Sequence, residues 1–117
     1  MLMDWVDLIK RSGTGLRELA RLSPGTMKGY LALHEASNEM GQLDAKTREL
    51  IALAVAVTTR SDGCIADHTK NAIRLGVSKE QVAEAIGVAV AMNAGAALTY
   101  AGRVLDAYEG ISRGASD

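Results

Sequence analysis

The sequence predicts an all-helical single domain of about six helices that associates with further copies of itself. Apolar residues recur at helical spacing along most of the chain, and short runs of turn residues separate these segments. The 117 residues suffice for one domain. The hydrophobic share is 48% but the aromatic share only 3%, so small aliphatic side chains must fill the core and the helices must pack closely.

The N-terminal part, residues 1–22, is expected to form a helical extension. Its apolar residues follow helical spacing, but the run Ser12-Gly13-Thr14-Gly15 predicts a break within it. Ser23-Pro24 then has the pattern of an N-cap followed by proline at the first helical position. The helix that starts there is expected to end near Met40-Gly41, because glycine commonly follows the last helical residue.

A continuous apolar run, Leu50 to Val57, forms the middle of the next segment. Periodicity alone cannot distinguish a buried helix from a buried strand in such a run. Alanine favours helix, and the polar residues before the run extend the segment beyond the usual length of a strand. We therefore expect a buried helix from Ala45 to about Thr59, with Asp44 as its N-cap.

The second half of the chain has clear helix boundaries. Ser61-Asp62-Gly63 is a break, Gly76 is a C-cap, and Ser78 with Gln81 forms a capping box. Asn93-Ala94-Gly95 is expected to interrupt the helix that follows. The predicted elements are helices over Cys64–Leu75, Ser78–Met92 and Ala96 to about Glu109, and a loose tail over residues 110–117.

Two of the predicted helices are apolar nearly all round, namely those containing Leu50 to Val57 and Val82 to Met92. A small domain cannot cover that much apolar surface by itself, because it buries only about 60 to 70% of the surface of its unfolded chain. The surplus apolar helix faces therefore predict a homo-oligomer.

Charge and cysteine content exclude several classes of partner. The formal net charge is −1 and 23% of the residues are charged, so we expect neither nucleic acid nor an acidic membrane as a partner. The N-terminal stretch contains Asp4 and Asp7 and no apolar block, which predicts neither a signal peptide nor a membrane span there. A single cysteine fits a reducing compartment, and we expect a cytoplasmic protein.

Cys64 and His68 form the one constellation with chemistry in it. They are four residues apart on a predicted helix, so their side chains lie on one face, a turn from each other. Cys64 also occupies the first turn, where unpaired backbone N–H groups and the helix dipole favour a thiolate. A thiolate with an adjacent base is the arrangement of an activated nucleophile.

Simpler explanations of these residues compete with that one. A cysteine in an alanine-rich helix is often a small buried hydrophobe, and a single histidine is often merely solvated. One cysteine and one histidine supply only two of the roughly four protein ligands of a structural zinc site, so no metal is expected. His34 lies on another helix and could join only through folding. Phosphate-binding glycine motifs are missing, so no cofactor is expected.

The sequence resembles the carboxymuconolactone decarboxylase family, and within it the small AhpD-like proteins. The AhpD-like pattern is a Glu, eleven intervening residues and then C-x-x-C-x-x-x-H, and Glu49, Ser61, Cys64 and His68 occupy its four places. The resemblance covers most of the chain from about Leu22 onward. The segments that carry it are Leu43 to Val55, Gly63 to His68, Leu75 to Ser78, Glu84 to Ile86 and Ala97 to Ala101.

The resemblance implies an all-helical fold assembled as trimers or hexamers and an alkylhydroperoxidase activity of the peroxiredoxin type. It implies that Cys64 attacks the hydroperoxide while His68 and Glu49 relay the proton. In the family a first cysteine resolves the oxidised sulfur into a disulfide, and Ser61 stands in its place. A hydroxyl cannot condense with a sulfenic acid to form an S–S bond.

The serine leaves three explanations open. Cys64 works alone and an external thiol or dithiol reduces it, the protein has lost its redox cycle and serves as an oligomeric binding protein, or Ser61 is an introduced replacement. The wider family also suggests a different reaction, decarboxylation of a lactone, in which His68 would be the acid and base.

Overall fold

The computed structural model describes residues 2–116, and six helices make up most of that range. Over that range the structure contains helices and their connections and no strand. The helices are α1 Trp5–Leu22, α2 Pro24–Glu39, α3 Ala45–Thr59, α4 Asp62–Arg74, α5 Lys79–Tyr100 and α6 Gly102–Ser116. The predicted all-helical fold class and the choice of helix over strand for the apolar run in α3 are confirmed.

Side-chain caps start α3 and α5 as the sequence predicts, whereas Ser23 precedes α2, with Pro24 at the first helical position, but makes no capping hydrogen bond through its side chain. The carboxylate of Asp44 accepts a hydrogen bond from the backbone N–H of Thr47 at 2.8 Å and opens α3. Ser78 opens α5 in a complete capping box, since its hydroxyl accepts from Gln81 N and the Gln81 side chain accepts from Ser78 N. Each such cap satisfies backbone donors that would otherwise lack a partner.

The break predicted at Ser12-Gly13-Thr14-Gly15 is wrong, because α1 runs through it without interruption. A glycine inside a helix costs only about 1 kcal/mol relative to alanine, which tertiary packing can outweigh. Here α1 packs against both α2 and α4. Within this continuous helix the Thr14 hydroxyl donates a hydrogen bond to Lys10 O at 3.2 Å.

The interruption predicted at Asn93-Ala94-Gly95 is also wrong, because α5 continues to Tyr100. Asn93 Nδ2 donates to Ala89 O at 2.7 Å and to Thr58 Oγ1 on α3 at 3.0 Å. An asparagine can thus connect two packed helices where sequence alone suggests a loop.

The chain end differs from the prediction as well. The break expected at residues 93–95 lies instead at Ala101, between α5 and α6. Residues 110–116, which were predicted to form a loose tail, are helical. Asp117 lies outside the described residues. The reason is that the apolar spacing of α6 continues beyond Gly110 to Ile111. Residues 79–115 thereby form an almost continuous helical rod.

The core is small and consists mostly of alanine. Helix α3 lies at its centre, packed against α4 on one side and α5 on another. The buried hydrophobic residues among those described are Leu53, Ala56, Ala66, Ala72 and Ala89. Four of these five residues are alanine, so small side chains form the buried contacts between the helices.

The protomer is far more extended than a compact domain of its length. Its radius of gyration is 19.9 Å, and its extents are 60 × 39 × 36 Å. A compact chain of this length would have a radius of gyration of about 13 Å. Within residues 2–116, α2 packs only on α1 and α6 packs only on α5, so both project from the centre.

The rod of α5 and α6 is the most apolar part of the protomer. Lys79–Ala115 is long and apolar enough to cross a membrane by length and composition, and only 6% of its most apolar stretch is buried within the protomer. Such a helix is equally consistent with the core of an assembly.

Asp44 gives a test of the capping scheme. Two hydrogen bonds from Thr47 hold the pKa of Asp44 below its usual value of 3.8. The bond from the backbone N–H has the larger effect, and the bond from the side chain has the smaller one. A lowered pKa in the folded state contributes stability at pH values above the unfolded pKa, and this contribution disappears as the pH falls through the folded pKa. The cap of α3 should therefore weaken below about pH 4.

We predict that Asp44→Ala lowers the free energy of unfolding at neutral pH and that its difference from the parent protein narrows in acid. Asp44→Asn is the matched control, since asparagine caps a helix about as well but does not titrate. Urea unfolding at fixed protein concentration, followed by far-UV circular dichroism at neutral pH and again in acid, measures the free energies of unfolding. A parent-to-Ala difference that is constant with pH would contradict it.

Candidate functional site

The centre of the candidate site is a direct contact between α3 and α4. Glu49 Oε2 lies 2.7 Å from His68 Nδ1, and 17% of each side chain is exposed. The two residues are 19 positions apart in sequence, so the contact exists only because these helices pack together. A short hydrogen bond between a carboxylate and an imidazole is of the strong, charge-assisted kind.

This contact sets the orientation of the imidazole. A carboxylate accepts hydrogen bonds, so the facing Nδ1 carries a proton and Nε2 is the nitrogen that can give or take one. Glu49 and His68, which the family spacing pairs in the sequence, are thus in direct contact in the structure. The carboxylate of Glu49 pairs with His68, and within residues 2–116 it forms no ion pair with the neighbouring Lys46 or Arg48.

Cys64 lies in the first turn of α4 as a free, exposed thiol. It is neither a buried hydrophobe nor enclosed by apolar side chains. Its position four residues before His68 on the same helix puts both side chains on one face. Over residues 2–116 no hydrogen bond joins the thiol to the imidazole, whose Nδ1 is engaged by Glu49.

Ser61 is the N-cap of α4, the helix that carries both Cys64 and His68. Its Oγ accepts a hydrogen bond from the backbone N–H of Cys64 at 3.3 Å. The preceding residue, Arg60, adopts a left-handed conformation with φ of 56° and ends α3. This two-residue connection makes α3 and α4 antiparallel neighbours, and so aligns Glu49 with His68.

An open groove runs along the Glu49–His68 pair, and we name it the site groove. It has a volume of about 870 Å³ and is bounded by α2, the α2–α3 connection, α3 and α4. Its lining includes His34, Arg48 and Arg74 as well as the pair, whereas Cys64 is not among the lining residues. The acid–base pair therefore faces the groove, while the thiol lies outside its lining.

His34 reaches the lining of the site groove through folding. It lines the same groove as His68, and its ring stacks on Tyr30 with 6.2 Å between the ring centroids. Sequence reasoning left His34 without a role because it lies on a different helix. Arg48 and Arg74 line the same groove. Neither was assigned to the site from the sequence, because they belong to no local motif.

A second groove lies between α1 and α4, with a volume of about 670 Å³ and an almost wholly apolar lining. We name it the N-terminal groove, and it was not predicted. Trp5, Ile65 and Ile73 are among its lining residues. Within the part of the chain that the structure describes, no three His, Cys, Asp or Glu side chains converge in a way that could hold a metal ion.

Comparison with known proteins identifies the class of fold. The sequence model of the carboxymuconolactone decarboxylase family matches residues 24–107. The crystal structure of an apo carboxymuconolactone decarboxylase family protein from Legionella pneumophila superimposes with a TM-score of 0.72 at 36% sequence identity, covering 90% of this chain and 94% of that one. The chain belongs to the carboxymuconolactone decarboxylase family.

Sequence relatives extend over nearly the same length. An uncharacterized protein of Haemophilus influenzae is 47% identical over 108 residues, which is 92% of this chain and 96% of that protein. A Paracoccus denitrificans protein described as uncharacterized protein 4 in the cox locus is 40% identical over 95 residues, which is 81% of this chain and 86% of that protein. These similarities support the family and the fold and leave the reaction to be proposed.

The cap at Ser61 is directly testable. We expect Ser61→Ala to lower the free energy of unfolding by about 1 kcal/mol, the usual cost of removing a serine N-cap. Ser61→Asp is the control, because aspartate restores an acceptor at the same place. Urea unfolding at matched protein concentrations measures both variants. Equal stabilities of the parent protein and Ser61→Ala would contradict the capping role.

Proposed function

We propose that the protein is a thiol-dependent antioxidant enzyme that reduces hydroperoxides, with Cys64 as the nucleophile. The observation that carries the proposal is the 2.7 Å contact between Glu49 and His68, one helical turn beyond an exposed thiol in the first turn of α4. Nucleophile, base and an orienting carboxylate are the three groups that activated-nucleophile catalysis needs. Glu49, Cys64 and His68 stand at the spacing of the AhpD-like pattern, with Ser61 in place of its first cysteine, and this spacing supports the same assignment.

The first half-reaction uses these groups in order. The Cys64 thiol gives its proton to His68 Nε2, directly or through a water, and the thiolate attacks the terminal oxygen of the hydroperoxide. The O–O bond breaks, Cys64 becomes a sulfenic acid, and the alkoxide leaves with the proton returned by His68, forming the alcohol. Glu49 holds the ring and stabilises its protonated form, as the carboxylate of a triad does.

The second half-reaction needs an external reductant because Ser61 cannot form a disulfide. A thiol attacks the sulfenic sulfur, giving a mixed disulfide and water. A second thiol, or the other sulfur of a dithiol, then releases Cys64 as a thiol and leaves as the disulfide. The exposure of Cys64 makes such a two-step reduction sterically accessible. We propose that the enzyme works as a cytoplasmic homo-oligomer of three or six chains.

A second candidate function has an observation of its own. The His68–Glu49 pair lines the site groove, and Cys64 does not. Acid–base chemistry on a substrate in that groove, such as decarboxylation of a lactone, would use His68 as acid and base with no role for the thiol. The two functions therefore differ in whether Cys64 is needed.

We predict that Cys64→Ala abolishes consumption of an alkyl hydroperoxide and that His68→Ala lowers kcat/KM by about 10² to 10⁴, the usual contribution of general acid–base catalysis. His34→Ala is the matched control, since it removes another groove imidazole and should leave the rate nearly unchanged. Hydroperoxide loss with dithiothreitol as the reductant measures the rates. Lactone decarboxylation that survives Cys64→Ala but not His68→Ala would establish the second function instead.

Restoring the missing cysteine separates an active enzyme from a protein that has lost its redox cycle. In Ser61→Cys the Cys64 sulfenic acid can condense with the new thiol, so one hydroperoxide should yield one intramolecular disulfide and turnover with dithiols should rise. Mass spectrometry of the non-reduced protein detects the loss of two hydrogens. A Ser61→Cys protein that consumes no hydroperoxide with any dithiol would favour a binding role.

A further inference from the structure

The N-terminal groove is a concave apolar site that the proposed reaction does not use. It lies between α1 and α4, and its volume is about 670 Å³. Sites for small molecules typically measure about 300 to 1000 Å³ and combine apolar walls with a few polar groups. Neither Cys64 nor His68 lines this groove, although both lie on α4. One wall is α1, which precedes the residues that the family model matches, so the groove extends beyond the family region.

Apolar surface inside the N-terminal groove is left uncovered by the protomer. Val6 on α1 is 66% exposed and Ile73 on α4 is 71% exposed, and both line the groove. The α4 wall runs from Ile65 to Ile73, a distance of about 12 Å along the helix axis. An extended chain advances about 1.2 Å per bond, so an alkyl chain of roughly ten carbon atoms matches the length of this wall.

The charged groups at this groove are all cationic. Lys10 and Lys70 line it, and no Asp or Glu does so. Because the lining is almost wholly apolar, the lysines contribute their methylene stems to the walls and hold their ammonium groups at the rim. Within residues 2–116 neither lysine forms an ion pair, since Asp7 pairs with Arg11 and Asp67 lies outside the lining. The groove therefore has apolar walls and an unpaired positive rim.

We propose that the N-terminal groove binds a single-chain amphiphile with an anionic head group, a carboxylate or a phosphate. The alkyl chain lies along the apolar walls, and the head group contacts the ammonium groups of Lys10 and Lys70. A membrane surface cannot enter a concave groove between two helices, whereas one extended chain can. This ligand site is independent of the proposed reaction, because its lining includes none of Glu49, Cys64 and His68.

Fluorescence of Trp5 reports on this site directly, because Trp5 is the only tryptophan in the chain and lines the groove. Undecanoate with bromine on its terminal carbon is titrated below its micelle concentration, since bromine quenches tryptophan on contact. We expect saturable quenching by the acid and weaker binding of the corresponding bromo-alcohol. Unbrominated acids should compete roughly fourfold better for each added CH₂, until the chain is as long as the groove.

The double variant Lys10→Met and Lys70→Met tests the head-group contact, since it keeps apolar stems and removes both charges. We expect the Kd of the acid to rise roughly 2- to 30-fold, the range for two exposed ion pairs, and the Kd of the alcohol to stay unchanged. Lys28→Met on α2, outside the groove lining, is the matched control and should change neither Kd. Tighter binding of undecyl phosphate than of undecanoate would support a phosphate head group, and the reverse order would support a carboxylate.

Ile73→Glu places a carboxylate on the apolar wall and should abolish quenching with the helicity retained. No quenching by the acid in the unmodified protein, equal affinities for acid and alcohol, or quenching only above the micelle concentration would each overturn the proposal. Trp5 emission that changes with protein concentration and not with the acid would show that another chain covers the groove, and would overturn it as well. None of these measurements uses turnover, so failure of the hydroperoxidase hypothesis leaves them unaffected.

Discussion

The site depends on one interhelical contact, the hydrogen bond between Glu49 on α3 and His68 on α4. This hydrogen bond requires the two helices to be antiparallel, in register and close. A two-residue connection, in which Ser61 caps the start of α4, and alanines at the helix contacts meet these requirements. The same connection starts α4 just before Cys64. One local arrangement thus sets the orientation of the imidazole and the position of the thiol.

Sequence reasoning succeeded where a feature depends on neighbouring residues. The capping box at Ser78, the N-cap at Asp44 and the i to i+4 relation of Cys64 and His68 are all local, and the structure contains them. The Glu49–His68 contact is not local, and only the family spacing pointed to it. The breaks expected at Gly13 and Gly95 failed because helix packing outweighs the small intrinsic cost of glycine.

Other features depend on how whole helices are arranged, and no sequence pattern predicts them. His34, Arg48 and Arg74 come from three helices and meet only around the site groove. The prediction of a loose tail was wrong because the apolar residues of the tail continue the helical spacing of α6. Within the described residues α6 packs only on α5. Family membership agrees with the fold, while Ser61 in place of a cysteine changes what chemistry this member can complete alone.

The most direct measurement of the central claim is the single-turnover rate at which Cys64 becomes a sulfenic acid after one equivalent of alkyl hydroperoxide. Trapping with a cyclic dione followed by mass spectrometry needs no reductant and is therefore independent of Ser61. Our account predicts modification at Cys64 that is fast in the parent protein and slower in Glu49→Gln, where the contact loses its charge. Equal rates in the two proteins, or no trapped sulfenic acid at Cys64, would contradict it.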